Sequence, residues 1–128
     1  MGFWRKDVVE FALDEQTGRA IDEQLRWIAA EPSNPAPYAN LARLYRSQGH
    51  QDRALALLLE SVRIDPGHAP AHQALCEIYA VRGDYPAAWR HARLAEKGGN
   101  PAGVLMLNRH AIAEPGGHSE VGEPRPEC

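Results

Sequence analysis

The feature that most constrains this chain is an internal repeat with a period of 34 residues. Sliding residues 35–68 onto 69–102 pairs Leu41 with Leu75, Ala42 with Cys76 and Tyr45 with Tyr79. Gly49 then meets Gly83, and Ala54 meets Ala88, so NLARLYRSQGHQDRAL lies over ALCEIYAVRGDYPAAW. A period of this length marks one supersecondary unit used more than once. A unit that cannot bury its own apolar face has to stack on its copy.

Each copy reads as a pair of helices. Asn34-Pro35 has the form of a helix start, with Asn placed to cap and Pro at the first helical position, where its missing N–H costs nothing. Tyr38, Leu41, Ala42, Leu44 and Tyr45 recur at helical spacing, and Gly49 supplies the left-handed residue that ends a helix. A second helix over about 52–64 is apolar at Ala54, Leu55, Leu57, Leu58, Val62 and Ile64, and Asp65-Pro66-Gly67 breaks it. Helices over about 70–82 and 85–97 repeat the pattern, and Gly98-Gly99 stops the second. Asn100-Pro101 opens a last helix reaching roughly Ala113, with Val104, Leu107 and Ala111 on one face.

This spacing of Leu, small residue, Tyr, Gly, Ala and Pro resembles the tetratricopeptide repeat family. Pro66 stands where the family expects a proline near the end of the unit, and Pro101 comes one position late. Shifting back another 34 residues gives a worn copy in 1–34, with Trp4, Val8, Phe11, Ala20 and Pro32 in register. There Asp7 replaces the Leu, Glu15 the Gly, Gly18 comes late, and Trp27 fills a small-residue position. The resemblance implies an all-α fold: a short right-handed α-solenoid of about three helix-turn-helix repeats over about 1–34, 35–68 and 69–102. A capping helix over about 101–113 completes a solenoid spanning 1–113, with Asn108, Arg109 and His110 on its wetter side. The tail, 114–128, holds three prolines and four acidic residues, a composition that cannot bury a core and is expected to be disordered alone.

Composition narrows the function by exclusion. Net charge is −3, with four basic and seven acidic residues in 1–34, eight and six in 35–102, and two and four in 103–128. Nucleic acid asks for a concentrated basic patch, which this distribution lacks. No apolar run approaches the roughly 20 residues of a membrane span, and the first thirty residues hold no signal-like apolar stretch. Two cysteines, Cys76 and Cys128, are too few for a disulfide framework. These readings point to a soluble, cytoplasmic protein.

Three groups of residues invite a chemical role. His68, His72 and Cys76 recur every four residues, which on a helix stacks metal-ligand types on one side. A metal- or haem-handling accessory protein is the alternative they suggest, and core packing of His72 and Cys76 is the stronger reading. The aromatic residues fall mostly on the apolar stripes, leaving Tyr85 and Trp89 as the pair most expected to reach solvent. No phosphate loop, nucleophile elbow or His-Glu-x-x-His stretch is present, so neither an enzyme nor a cofactor is expected.

In the tetratricopeptide family the first helix of each repeat lines a concave groove, through positions 2, 5, 9, 12 and 13. The resemblance assigns Arg5, Asn40, Arg43, Arg46, Gln73 and Glu77 to the groove wall, with Ala39, Ser47, Ala80 and Val81 beside them. Arg43 and Arg46 are three residues apart and share a face, and guanidinium groups grip carboxylates in bidentate fashion. The expected partner is therefore a protein or peptide, with an acidic segment or chain terminus favoured. Ala39, Arg43 and Ala74 stand where chaperone-binding members carry a Lys and two Asn, which argues against that specialised clamp. Homodimer formation through the solenoid ends suits so short a stack. The acidic tail, with Glu120, Glu123, Glu127 and the Cys128 carboxylate, reads first as a solubilising extension and second as an occupant of the groove.

Overall fold

This computed structural model describes the backbone of residues 2–116 and the side chains of residues 15–116. Arg5 and the tail residues 117–128 lie outside the described side chains. Every regular element among the described residues is an α-helix: α1 Gly2–Ala30, α2 Pro35–Ser47, α3 Gln51–Ile64, α4 Ala69–Val81, α5 Tyr85–Lys97 and α6 Ala102–Arg109. Consecutive helices pack on one another within each of two compact units, Met1–Ile64 and Asp65–Cys128. This is the all-α helical-repeat architecture that the 34-residue period requires.

In the first unit, the Asn34 side chain caps α2 by accepting from the Ala36 N–H at 2.9 Å, and Pro35 occupies the first turn. Helix α2 ends where Gly49 turns into the left-handed region (φ 84°), allowing the His50 N–H to reach back to the Tyr45 carbonyl at 2.9 Å. Gly83 (φ 82°) repeats this turn between α4 and α5, with the Asp84 N–H on Tyr79. A side chain at either glycine would be strained, which is why the period preserves them. Leu41 and Ala42 of α2 bury against α3, whose Ala54 and Leu58 are fully buried. Ser61 is buried too, and its hydroxyl donates to the Pro35 carbonyl at 3.0 Å, so no polar group is stranded there.

Residues 1–34 depart from the expected helix-turn-helix. They form the single helix α1, 29 residues long, through Gly18, with a short turn after it at 31–34. A lone glycine costs a helix about 1 kcal/mol relative to alanine, too little to break it without a proline or a second glycine nearby. Two hydrogen bonds tie the end of α1 and this turn to α2. Asn40 Nδ2 donates to Gln24 Oε1 at 3.2 Å, and the Tyr38 hydroxyl donates to the Pro32 carbonyl at 2.8 Å.

The second unit is built on small residues. Ala87, Ala88, Ala92 and Ala95 of α5 are buried, and with Cys76, Trp89, Val104 and Leu107 they bring α4, α5 and α6 together. Gly103 is the tightest point. A Cβ there would lie 2.9 Å from Cys76 Sγ, 3.0 Å from Gln73 Oε1 and 3.2 Å from Ala92 Cβ. Helix α6 is shorter than expected, ending at Arg109 rather than near Ala113. Ala111 adopts φ 58°, which no helix continues through, and the Ile112 N–H turns back to the Leu107 carbonyl at 3.0 Å. As expected, Asn108, Arg109 and His110 are exposed.

Two substitutions test this reading. Gly18→Ala meets open space, so urea unfolding should show a gain of about 1 kcal/mol; a loss would mean that the helix is interrupted there. Gly103→Ala should lose about 1–3 kcal/mol through overpacking, and unchanged stability would contradict the close contact.

Candidate partner-binding groove

The expected groove residues with described side chains sit on α2 in the first unit and on α4 in the second. In the first unit Asn40, Arg43 and Arg46 lie on α2 at helical spacing, with Arg43 exposed and the other two half-buried. Asn40 is held by its bond to Gln24. In the second unit Gln73 and Glu77 are one turn apart on α4, and Gln73 Nε2 donates to Glu77 Oε2 at 3.0 Å. Gln73 Oε1 is buried against Gly103 without a hydrogen-bond partner among the described residues.

Beside Glu77 the second unit opens into a cleft of about 510 Å³ between α4, the start of α5, and α6 with the residues after it. Glu77, Ala80 and Val81 form one side, and Tyr85, Met106, His110 and Ile112 complete it. Val81 is 86% exposed and Tyr85 42% exposed, so the cleft presents apolar surface directly to solvent. Tyr85 meets its expectation, but Trp89 does not: it is only 3% exposed. Trp89 packs into the α5–α6 core, and its Nε1–H donates to the Ile112 carbonyl at 3.1 Å.

Sequence reasoning placed Glu77, Ala80 and Val81 but missed Met106, His110 and Ile112. Met106 and His110 are one turn apart, a spacing that could have identified them. Ile112 could not be identified that way, because it enters the cleft only through the left-handed turn at Ala111. A second concavity, of about 640 Å³, is lined by Arg90, Arg93, Leu94, Glu96 and Lys97 of α5 alone, so it is the outer face of one helix.

The His68, His72 and Cys76 series does not converge on a metal. His68 is the residue before α4, outside the helix. Both His72 nitrogens are engaged: Nε2 faces the Pro66 carbonyl at 2.6 Å and Nδ1 faces His91 Nδ1 at 3.0 Å. A carbonyl only accepts, so His72 Nε2 carries the proton donated to it, and the two Nδ1 atoms share the single hydrogen between the rings. The rings stack at 5.2 Å, and Tyr79 stacks on His91 at 5.5 Å. Cys76 is fully buried, and burial pushes its thiol up to about 11, away from the thiolate a metal would need. Among the described residues no group of three or more His, Cys, Asp or Glu is arranged to hold a metal ion.

Burial holds the His91 imidazole down to about 4, with nearby His72 and Arg90 adding to the effect. Between its ordinary value of 6.5 and about 4, the unfolded chain binds a proton that the folded chain does not. This contribution to stability is therefore full above about pH 6.5 and is lost as pH falls towards 4, at about 1.4 kcal/mol per unit. His91→Gln keeps a donor for His72 without titrating. Its urea-unfolding stability should fall less between pH 7 and 4.5 than that of the parent chain; equal slopes would refute the neutral, buried His91.

The sequence profile of the tetratricopeptide repeat family matches residues 35–78. The chain is also similar to the TPR repeat-containing thioredoxin TTL4 of Arabidopsis thaliana, with 39% identity over 66 residues. That match covers 52% of this chain and 10% of the relative, so the chain spans only a small fraction of the protein it resembles. No helix among the described residues is long and apolar enough to cross a membrane.

Proposed function

Because residues 35–78 match the tetratricopeptide repeat family, whose repeats hold protein partners, we propose that this chain is a non-catalytic interaction module. It serves as an adaptor, assembly factor or small subunit of a larger complex. In each unit the binding face is that of a first helix: Asn40, Arg43 and Arg46 of α2, and Gln73 and Glu77 of α4.

One observation carries this reading. The cleft in the second unit is lined by Glu77, Ala80 and Val81, the α4 residues at the family's groove positions. Solvent-exposed apolar surface inside a concavity is what a binding site needs and what a folded chain otherwise avoids. Arg43 and Arg46 favour an acidic partner segment, because each guanidinium offers a fork of donors matched to a carboxylate. In the second unit, taken by itself, Val81 and Tyr85 supply an apolar anchor of the kind where most binding free energy concentrates.

The test uses the full chain as an affinity bait, compared with Arg43→Glu/Arg46→Glu and with Val81→Arg. Position 81 is so exposed that the charge should leave the melting temperature unchanged. Each variant should retain the partner at least about tenfold more weakly, the loss of one buried anchor or of a paired charge. Identical recovery by all three baits would rule out both the α2 face and the α4 face as binding surfaces.

A further inference from the structure

The chain does not leave the second unit where α6 ends. Residues 110–114 fold back as a strap across α5, held at two points. Trp89, buried in the core, donates its Nε1–H to the Ile112 carbonyl at 3.1 Å. Arg93, on the next turn of α5, grips Glu114 with two parallel bonds, Nε to Oε2 at 3.0 Å and Nη2 to Oε1 at 2.6 Å. The same guanidinium lies 5.3 Å over the Trp89 ring and bonds Glu96 Oε1 at 2.9 Å.

Acting against these contacts is the turn itself. Ala111 sits at φ 58°, a conformation that costs an L-residue with a Cβ and that glycine takes freely. It persists because its neighbours are fixed: the Ala111 and Ile112 N–H groups reach the Asn108 and Leu107 carbonyls, both at 3.0 Å. Ile112 links the two functions of the strap. Its carbonyl is held by Trp89, while its side chain is one wall of the cleft. His110, at the start of the strap, lines the same cleft.

We propose that the strap 110–114 is a movable wall that sets how far the cleft is open, with Arg93 and Glu114 as its latch. This rests on reading the cleft as the partner site. Latched, Ile112 and His110 line the cleft together with Tyr85 and Met106 and limit what it admits. Released, the left-handed turn relaxes and Ile112 withdraws, widening the cleft toward Val81 and Tyr85. The bonds and the strained turn oppose each other, so the strap belongs to the low-stability end of the unit, where small energetic changes shift populations. An acidic partner group competing for Arg93 would open the strap while binding.

Amide and indole hydrogen exchange by NMR on the full chain tests this, with 1-anilinonaphthalene-8-sulfonate as the probe of exposed apolar surface. Glu114→Gln breaks the latch, and Ala111→Gly removes the strain that opposes it. Glu114→Gln should speed exchange at the Trp89 indole and the Ile112 amide about tenfold, the size of one charge-assisted contact. It should leave the Leu75 and Ala92 amides unchanged and raise dye fluorescence. Ala111→Gly should shift the same signals the opposite way. Unaltered exchange and fluorescence in both variants would make the strap a fixed cap and overturn the proposal. Acceleration that reaches Leu75 equally would make Glu114 a support of the whole unit, with the same consequence. Failure of the groove reading is separable: a partner indifferent to Val81→Arg leaves the exchange results untouched.

Discussion

The cleft depends on one close approach, that of α6 to α4 and α5 at Gly103. There a methyl group would fall within 2.9 Å of the Cys76 sulfur and within 3.2 Å of the Ala92 side chain. Such proximity requires small residues on every side, which α5 supplies with Ala88 and Ala92 and α4 supplies with Cys76. Seated this way, α6 buries Val104 and Leu107, and its Met106 packs against the core and lines the cleft with Val81. A bulkier contact would push α6 away and separate the two sides of the cleft. Close packing of small residues therefore positions the larger ones that contact solvent.

The polar interior of the same unit shows how unlike groups are buried without being stranded. His72 and His91 share one proton-bearing contact, and the Pro66 carbonyl takes the remaining His72 N–H. Burial keeps the His91 ring neutral, and stacking of Tyr79 on His91 covers its other side. The pair joins α4 to α5 in a specific register, since a slip of one residue would break both the hydrogen bond and the stack. Hydrogen-bonded pairs of this kind cost little when satisfied and a good deal when half-satisfied, which favours one arrangement over its neighbours.

Much of the fold was legible because the responsible forces act over short stretches of sequence. Asn34 before Pro35 and the two left-handed glycines determine where α2 starts and where the helix pairs turn. The 34-residue period then repeats that instruction. What could not be read depended on contacts between residues distant in sequence. Trp89 looked exposed by its place near a helix start, but Ile112, 23 residues on, covers it and accepts its N–H. The last helix looked longer because Ala111 is an ordinary helix former, and only the backbone shows it in a left-handed turn. Periodicity alone could not tell that 1–34 would be one helix, since the 34-residue register put a turn there while Gly18 by itself is too weak a signal to make one. Of the residues that line the second unit's cleft, Glu77, Ala80 and Val81 stand at positions the repeat singled out, whereas Met106, His110 and Ile112 lie past the last repeat, where the period stops.

A partner lying on the α4 face, with Val81 at its rim, is the central claim. The most direct measurement is site-specific photo-crosslinking, with a benzophenone side chain placed at Val81 and, separately, at Leu59, an exposed apolar position on α3. Binding on the α4 face predicts a discrete protein adduct from position 81 and none from position 59. Adducts from position 59 with none from position 81 would contradict it.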